Sequence, residues 1–150
     1  MKSLDLRPAE LEDAERLLQW RNDEQTRSAS HDTEIVSFED HLRWLVRTLE
    51  NPNRRLFVAV VDGTPVGTVR ADLDCGVWEL SWTIAPEARG KCIGKQMVAA
   101  FASELEKPIR AEIRKDNIAS IKIAEHAGMV LENEIGGVLH FFRGALARPS

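Results

Sequence analysis

The chain has no tyrosine, only two cysteines, no long apolar run and no strong excess of either charge. Each shortage removes a class of function. Without tyrosine, no phenol is on hand as a proton donor. Cys75 and Cys92 alone make neither a disulfide framework nor a metal-ligand spacing, so no metal is expected. No stretch nears the ~20 apolar residues that span a bilayer, and no membrane partner is expected. Met1–Arg7 lacks the apolar middle of a signal peptide and reads as the start of a first strand. These readings fit a reducing, cytoplasmic setting. A net charge of −4 argues against nucleic acid as a general partner.

What is present is enough for one domain over residues 1–150 with a sizeable core, since 43% of the residues are apolar. The charge is uneven. Residues 89–122 hold eight basic and four acidic side chains, a net of +4, against −7 over residues 1–88. The positive excess begins at Arg89-Gly90-Lys91-Cys92-Ile93-Gly94-Lys95. This glycine-rich turn joins a strand-like run, Val77–Ile84, to a helix-like run, Lys95–Glu106. Glycines let backbone approach an anion, and the first N–H groups of a helix point at it without partners. Arg89, Lys91 and Lys95 add full charges. The turn therefore reads as a phosphate site.

The remaining pattern alternates between the two periods. Leu4–Arg7 reads as a strand, residues 9–22 as a helix and residues 23–37 as an irregular stretch. Phe38–Leu49 reads as a helix capped by Ser37, with Phe38, Leu42, Leu45 and Leu49 as its apolar face. Leu56–Val61 and Pro65–Ala71 flank an Asp62-Gly63 hairpin, and Asp74-Cys75-Gly76 turns into Val77–Ile84. There Glu79, Ser81 and Thr83 share one face and Trp78, Leu80, Trp82 and Ile84 the other. Ile109–Ile113 is a strand and Asn117–Ala127 a helix closed by Gly128. Met129–Glu134 and Leu139–Arg143 form a hairpin about Gly136-Gly137. The order is β-α-α-β-β-β-α-β-α-β-β.

Two segments, Arg89–Gly94 and Asn117–Ser120 with its continuation Glu125–Met129, resemble the two signatures of the GNAT superfamily of N-acetyltransferases. The resemblance covers nearly the whole chain and is strongest over residues 77–129. It implies an α/β fold with a mixed, mostly antiparallel sheet of about six to seven strands and helices on both faces. It implies acetyl-CoA as acyl donor, its pyrophosphate on residues 90–95, its pantetheine arm along Trp82, Thr83 and Ile84, and Asn117 beside that arm. The backbone N–H near Ile84 would polarise the thioester. Asn117 is also an ordinary helix cap. The family usually has glycine at the position of Cys92. With two glycines left to make the turn, Cys92 is expected to be already helical.

Acyl transfer to an amine needs a base, a donor to the thioester oxygen and a proton for the leaving thiolate. Glu79, a carboxylate inside a strand, is the candidate base; a solvated edge position is the other reading. The family's usual acid is a tyrosine, and Ala124 stands at the matching position. Either the thiolate leaves unassisted or with a water, or another group protonates it, Ser120, one turn earlier, or His126. On the acceptor side, Trp20-Arg21-Asn22 and the pair His41 and Trp44 resemble two subgroups. One acetylates nucleotide-linked amino sugars and the other the N-termini of ribosomal proteins. Trp20 and Trp44 read either as stacking surfaces or as core. The expected acceptor is a small-molecule primary amine or a peptide N-terminus, and a homodimer is among the expected partners. A non-catalytic CoA-binding module is the competing reading. A P-loop is excluded, because Gly94-Lys95 is followed by Gln96.

Overall fold

A computed structural model describes residues 3–29 and 34–147. Met1, Lys2 and the end of the Gly144–Ser150 tail lie outside the described residues, as does part of the irregular stretch. The elements run β1 (Leu4–Pro8), α1 (Ala14–Asn22), α2 (Glu24–Ala29), α3 (Phe38–Glu50), β2 (Arg54–Val61), β3 (Thr64–Asp74), β4 (Val77–Ile84), α4 (Ile93–Ser103), β5 (Ile109–Arg114), α5 (Ile118–His126), β6 (Val130–Ile135) and β7 (Val138–Arg143). They build one seven-stranded sheet in the order β1-β2-β3-β4-β5-β7-β6, antiparallel except between β4 and β5.

The hairpins follow from their turn residues. Asp62-Gly63, Cys75-Gly76 and Gly136-Gly137 all have positive φ at both positions, the backbone that a two-residue hairpin of native twist demands. Helices cover both faces. Gly67 lies against Met97 of α4, whereas Arg70, three residues on in the same strand, sits under Trp44 of α3. Odd positions of β3 thus face α4 and even positions face α3. The core runs from Leu17 and Leu45 through Val58 and Val69 to Met97, Phe101 and Ile109.

Three sequence expectations shift. The irregular stretch contains α2, a helix too short and polar to show a period. The buried stripe of α3 is His41, Leu45 and Thr48, while Phe38 and Leu49 are exposed. The charged neighbours Arg43 and Arg47 stay outside, and the stripe that fits the sheet is rotated from the most apolar one. Cys92 is not helical. It is the N-cap of α4, held in the left-handed region at φ 60°, ψ 17° without a side-chain cap, and α4 starts at Ile93. A left-handed non-glycine residue costs about 1–2 kcal/mol, which glycine avoids at some entropic cost. Cys92→Gly is therefore expected to raise stability by about 0.5–1 kcal/mol in urea unfolding. Unchanged or lower stability would contradict the strain.

Candidate active site

β4 and β5 pair only at Trp78↔Ile109 and Glu79↔Arg110, then diverge. The split opens a cleft of about 1110 Å³. That is at the upper end of the size of a small-molecule site, about 300–1,000 Å³. The Trp78 N–H donates to the Pro108 carbonyl on the β5 side. Alternation along the strand then turns the backbone of Trp82 and Ile84 into the gap, past the last β5 pair. Those groups form an open strand edge within the sheet.

At the wide end of the split stands the glycine-rich turn. Among the described residues, none of the N–H groups of Gly90 to Lys95 has a backbone acceptor; the first bond of α4 is Gln96 N–H to Cys92 O. Gly90, Cys92, Ile93, Gly94 and Lys95 line the cleft, and Lys91 does not. Gly94 is required by closeness: a Cβ there would lie 2.5 Å from Ile123 Cδ1 of α5. This contact sets α5, and with it Asn117 and Ser120, beside the turn. Asn117 Oδ1 accepts from the Ser120 N–H at 3.2 Å, so the residue is the cap of α5 as well as a cleft residue. Trp82 Nε1 donates to Ser120 Oγ at 3.2 Å, tying β4 to α5 across the split. His126 is exposed and lies off the cleft.

Glu79 sits at the vertex of the split. Arg110 Nε donates to its Oε2 at 3.2 Å, and Arg110 also reaches Asp74 at 3.2 Å. Burial works against the Arg110 charge, yet its two carboxylate partners outweigh this and raise its pKa above the ordinary value. Oε1 of Glu79 has no partner among the described residues and the side chain lines the cleft.

The acceptor-side expectations divide. Trp20 is core, 6% exposed, with one edge on the cleft. Asn22 is not on the cleft. Both ends of its amide are spent on the Val36 backbone, at 2.8 and 2.9 Å, which pins the end of α1 to the approach to α3. His41 is 5% exposed and stacks on Trp44 at 5.6 Å. Burial, followed by the charge of Arg21, lowers its pKa, although a hydrogen bond with the Ala14 backbone opposes this. Arg70 lies 5.4 Å from the Trp44 ring centroid, so that ring is already engaged by protein groups. Arg21, Trp44 and Arg70 all line the cleft.

Arg110 and Arg114 of β5, and Gln25 and Thr26 of α2, were not singled out by the sequence reading. The first two carried a signal. Ile109, Ala111 and Ile113 face inward, so Arg110, Glu112 and Arg114 must share the opposite face, the one that also carries Glu79.

A family model described as an acetyltransferase (GNAT) domain matches residues 3–130. No curated protein matches the chain in sequence. Among solved structures, a domain from Methanocaldococcus jannaschii is similar at 22% identity, covering 95% of this chain and 99% of its own, with a TM-score of 0.84. Spermidine N-acetyltransferase from Vibrio cholerae, in complex with CoA and spermine, is similar at 19% identity over 93% of this chain and 94% of its own, TM-score 0.82. An aminoglycoside acetyltransferase in complex with coenzyme A and kanamycin is similar at 18% identity over 95% of both chains, TM-score 0.81.

Proposed function

The chain belongs to the GNAT acetyltransferase family, and from that premise we propose that it transfers an acetyl group from acetyl-CoA directly to the primary amine of a small molecule. The observation that carries this reading is the split between β4 and β5. An open strand edge leads from unpartnered helix N–H groups at one end to a carboxylate at the other. A pyrophosphate suits the first, an extended amide-bearing arm the second and an amine the third.

Acetyl-CoA supplies an acyl group already activated as a thioester. The N–H groups of Gly90–Lys95, with Lys95, hold the pyrophosphate, and the Trp82–Ile84 edge pairs with the arm. The sequence expectation set the thioester at the Ile84 N–H. Ile84 is five residues from Glu79, about 16 Å along the strand, whereas Trp82 is three residues away, about 10 Å. A base must reach its proton directly or through one water. Of the two, the Trp82 N–H lies nearer the carboxylate, and this reading gives it the role of donor to the thioester oxygen. Glu79 takes a proton from the incoming ammonium, through water, and frees the nitrogen lone pair to attack the acyl carbon. As the new C–N bond forms and the C–S bond breaks, Ser120 gives its hydroxyl proton to the departing thiolate and regains one, through water, from the acetylated nitrogen, which sheds its second proton to become the neutral amide. The bond from Trp82 Nε1 occupies a lone pair of Ser120 Oγ and leaves its proton free for this use.

For the acceptor, a nucleotide-linked amino sugar is the favoured class. Arg21 and Arg70, the latter also paired with Asp72 at 3.1 Å, line the cleft and suit its phosphates. Engagement of Trp44 by His41 and Arg70 argues against ring stacking there, so the recognition rests on charge. Mass spectrometry of acetylation across nucleotide amino sugars, spermidine, an aminoglycoside and peptides with free N-termini tests this. The expected product is the acetylated amino sugar. Modification of peptides alone, or of the polycations alone, would overturn the acceptor class; tight acetyl-CoA binding with no acetylated amine would overturn the enzyme reading.

A further inference from the structure

Arg89 opens the glycine-rich turn, where the sequence reading counts its charge toward the phosphate site. Its guanidinium is instead committed to α2 and the residue before it. It reaches Asp23 Oδ2 at 2.5 Å, Thr26 Oγ1 at 3.0 Å and Gln25 Oε1 at 3.1 Å. These partners lie more than 60 positions away in sequence, so the contact fastens two separate parts of the fold. A second fastening lies opposite. Arg114 donates to the Ser28 carbonyl, near the end of α2, at 2.9 Å. Arg89 follows the C-terminal end of β4 and Arg114 is the C-terminal end of β5. α2 is thus anchored once on each lip of the split at its wide end, and Gln25, Thr26, Arg89 and Arg114 all line the cleft.

The two anchors differ in kind. Arg114 holds a neutral carbonyl. Arg89 holds a carboxylate, and the hydrogen bond it donates, more than its charge, keeps the Asp23 carboxyl below the usual range. A second anion at the adjacent Gly90 backbone competes for the same guanidinium.

We propose that Arg89 is shared between Asp23 and the cofactor pyrophosphate, which takes it on binding, so that Asp23 is a positioning residue coupling cofactor arrival to release of α2 at the β4 lip and opening of the amine side. This rests on the pyrophosphate reading above. Coupling of this kind is reciprocal: if CoA loosens α2, a loosened α2 must bind CoA more tightly by the same factor.

Hydrogen exchange of residues 24–29 and the Kd of CoA, in the native chain and in Asp23→Asn, test the coupling. Asn keeps the hydrogen bond to the Thr26 N–H that caps α2 and removes only the charge. In the native chain CoA is expected to speed exchange at residues 24–29. In Asp23→Asn exchange is already fast without CoA, and the CoA Kd falls by about fivefold or more. Asp23→Glu is expected to restore native behaviour in both measurements. CoA binding that leaves α2 unchanged or protects it, or an Asp23→Asn Kd equal to or weaker than native, would overturn the coupling while leaving the cofactor site intact. No CoA binding by the native chain would overturn the pyrophosphate reading and the coupling with it.

Discussion

Glu79→Gln lowers kcat by about 10²–10⁴-fold and leaves the Kd of acetyl-CoA unchanged. That range is what a positioned base contributes to a proton transfer. Gln has the shape of Glu and still accepts from Arg110 through its amide oxygen, so the bond at the vertex of the split survives. What disappears is the ability to take a proton. The loss therefore falls on the chemical step rather than on folding or donor binding, and rises in pH partly relieve it as more of the amine is neutral in solution. Steady-state kinetics beside a direct binding measurement separate these effects. Native kcat in Glu79→Gln would mean that Glu79 serves only as a partner of Arg110.

Lys95→Glu weakens acetyl-CoA binding by about 10–150-fold, with a small effect on kcat at saturation. A hydrogen bond to a charged group is worth about 1.5–3 kcal/mol, and 1.4 kcal/mol is a factor of ten. Lys95 lies in the first turn of α4, half-buried and on the cleft, where the helix already favours an anion. A carboxylate there is itself favoured by the helix end, so it both repels the ligand's anion and competes with it for the same N–H groups. Calorimetric titration reads the loss, and Lys91→Glu is the comparison. Lys91 is exposed and off the cleft, and its effect should be several-fold smaller. Equal losses at the two positions would show a diffuse field rather than a built site.

The order of strands and long helices was legible because local chemistry and global fold agree at the punctuation points. Asp62-Gly63, Cys75-Gly76 and Gly136-Gly137 specify tight hairpins whatever surrounds them. The glycine-rich turn was legible for the same reason, since Gly90 and Gly94 mark a strand-to-helix junction whose first N–H groups are left without backbone acceptors among the described residues. Side-chain partnerships were not. Nothing local to Arg89 points to Asp23, and nothing local to Asn22 points to Val36, because both pairings join segments that only the fold brings together. Cys92 was misjudged on conformation. Gly94 looked free to make the turn, but its small size is used against Ile123 inside α4, which leaves the left-handed residue to be Cys92. The helix α2 escaped because six residues, five of them polar, show no period, and it is the element that spans the split.

The account depends most on where the donor lies. An amide-resolved NMR titration with acetyl-CoA measures that placement. It should shift the amides of Gly90 to Lys95 together with those of Trp82 and Ile84, and leave the outward strand β6 unmoved. Saturable binding with the largest shifts away from the turn and the open β4 edge would contradict the account, as would millimolar acetyl-CoA that moves neither.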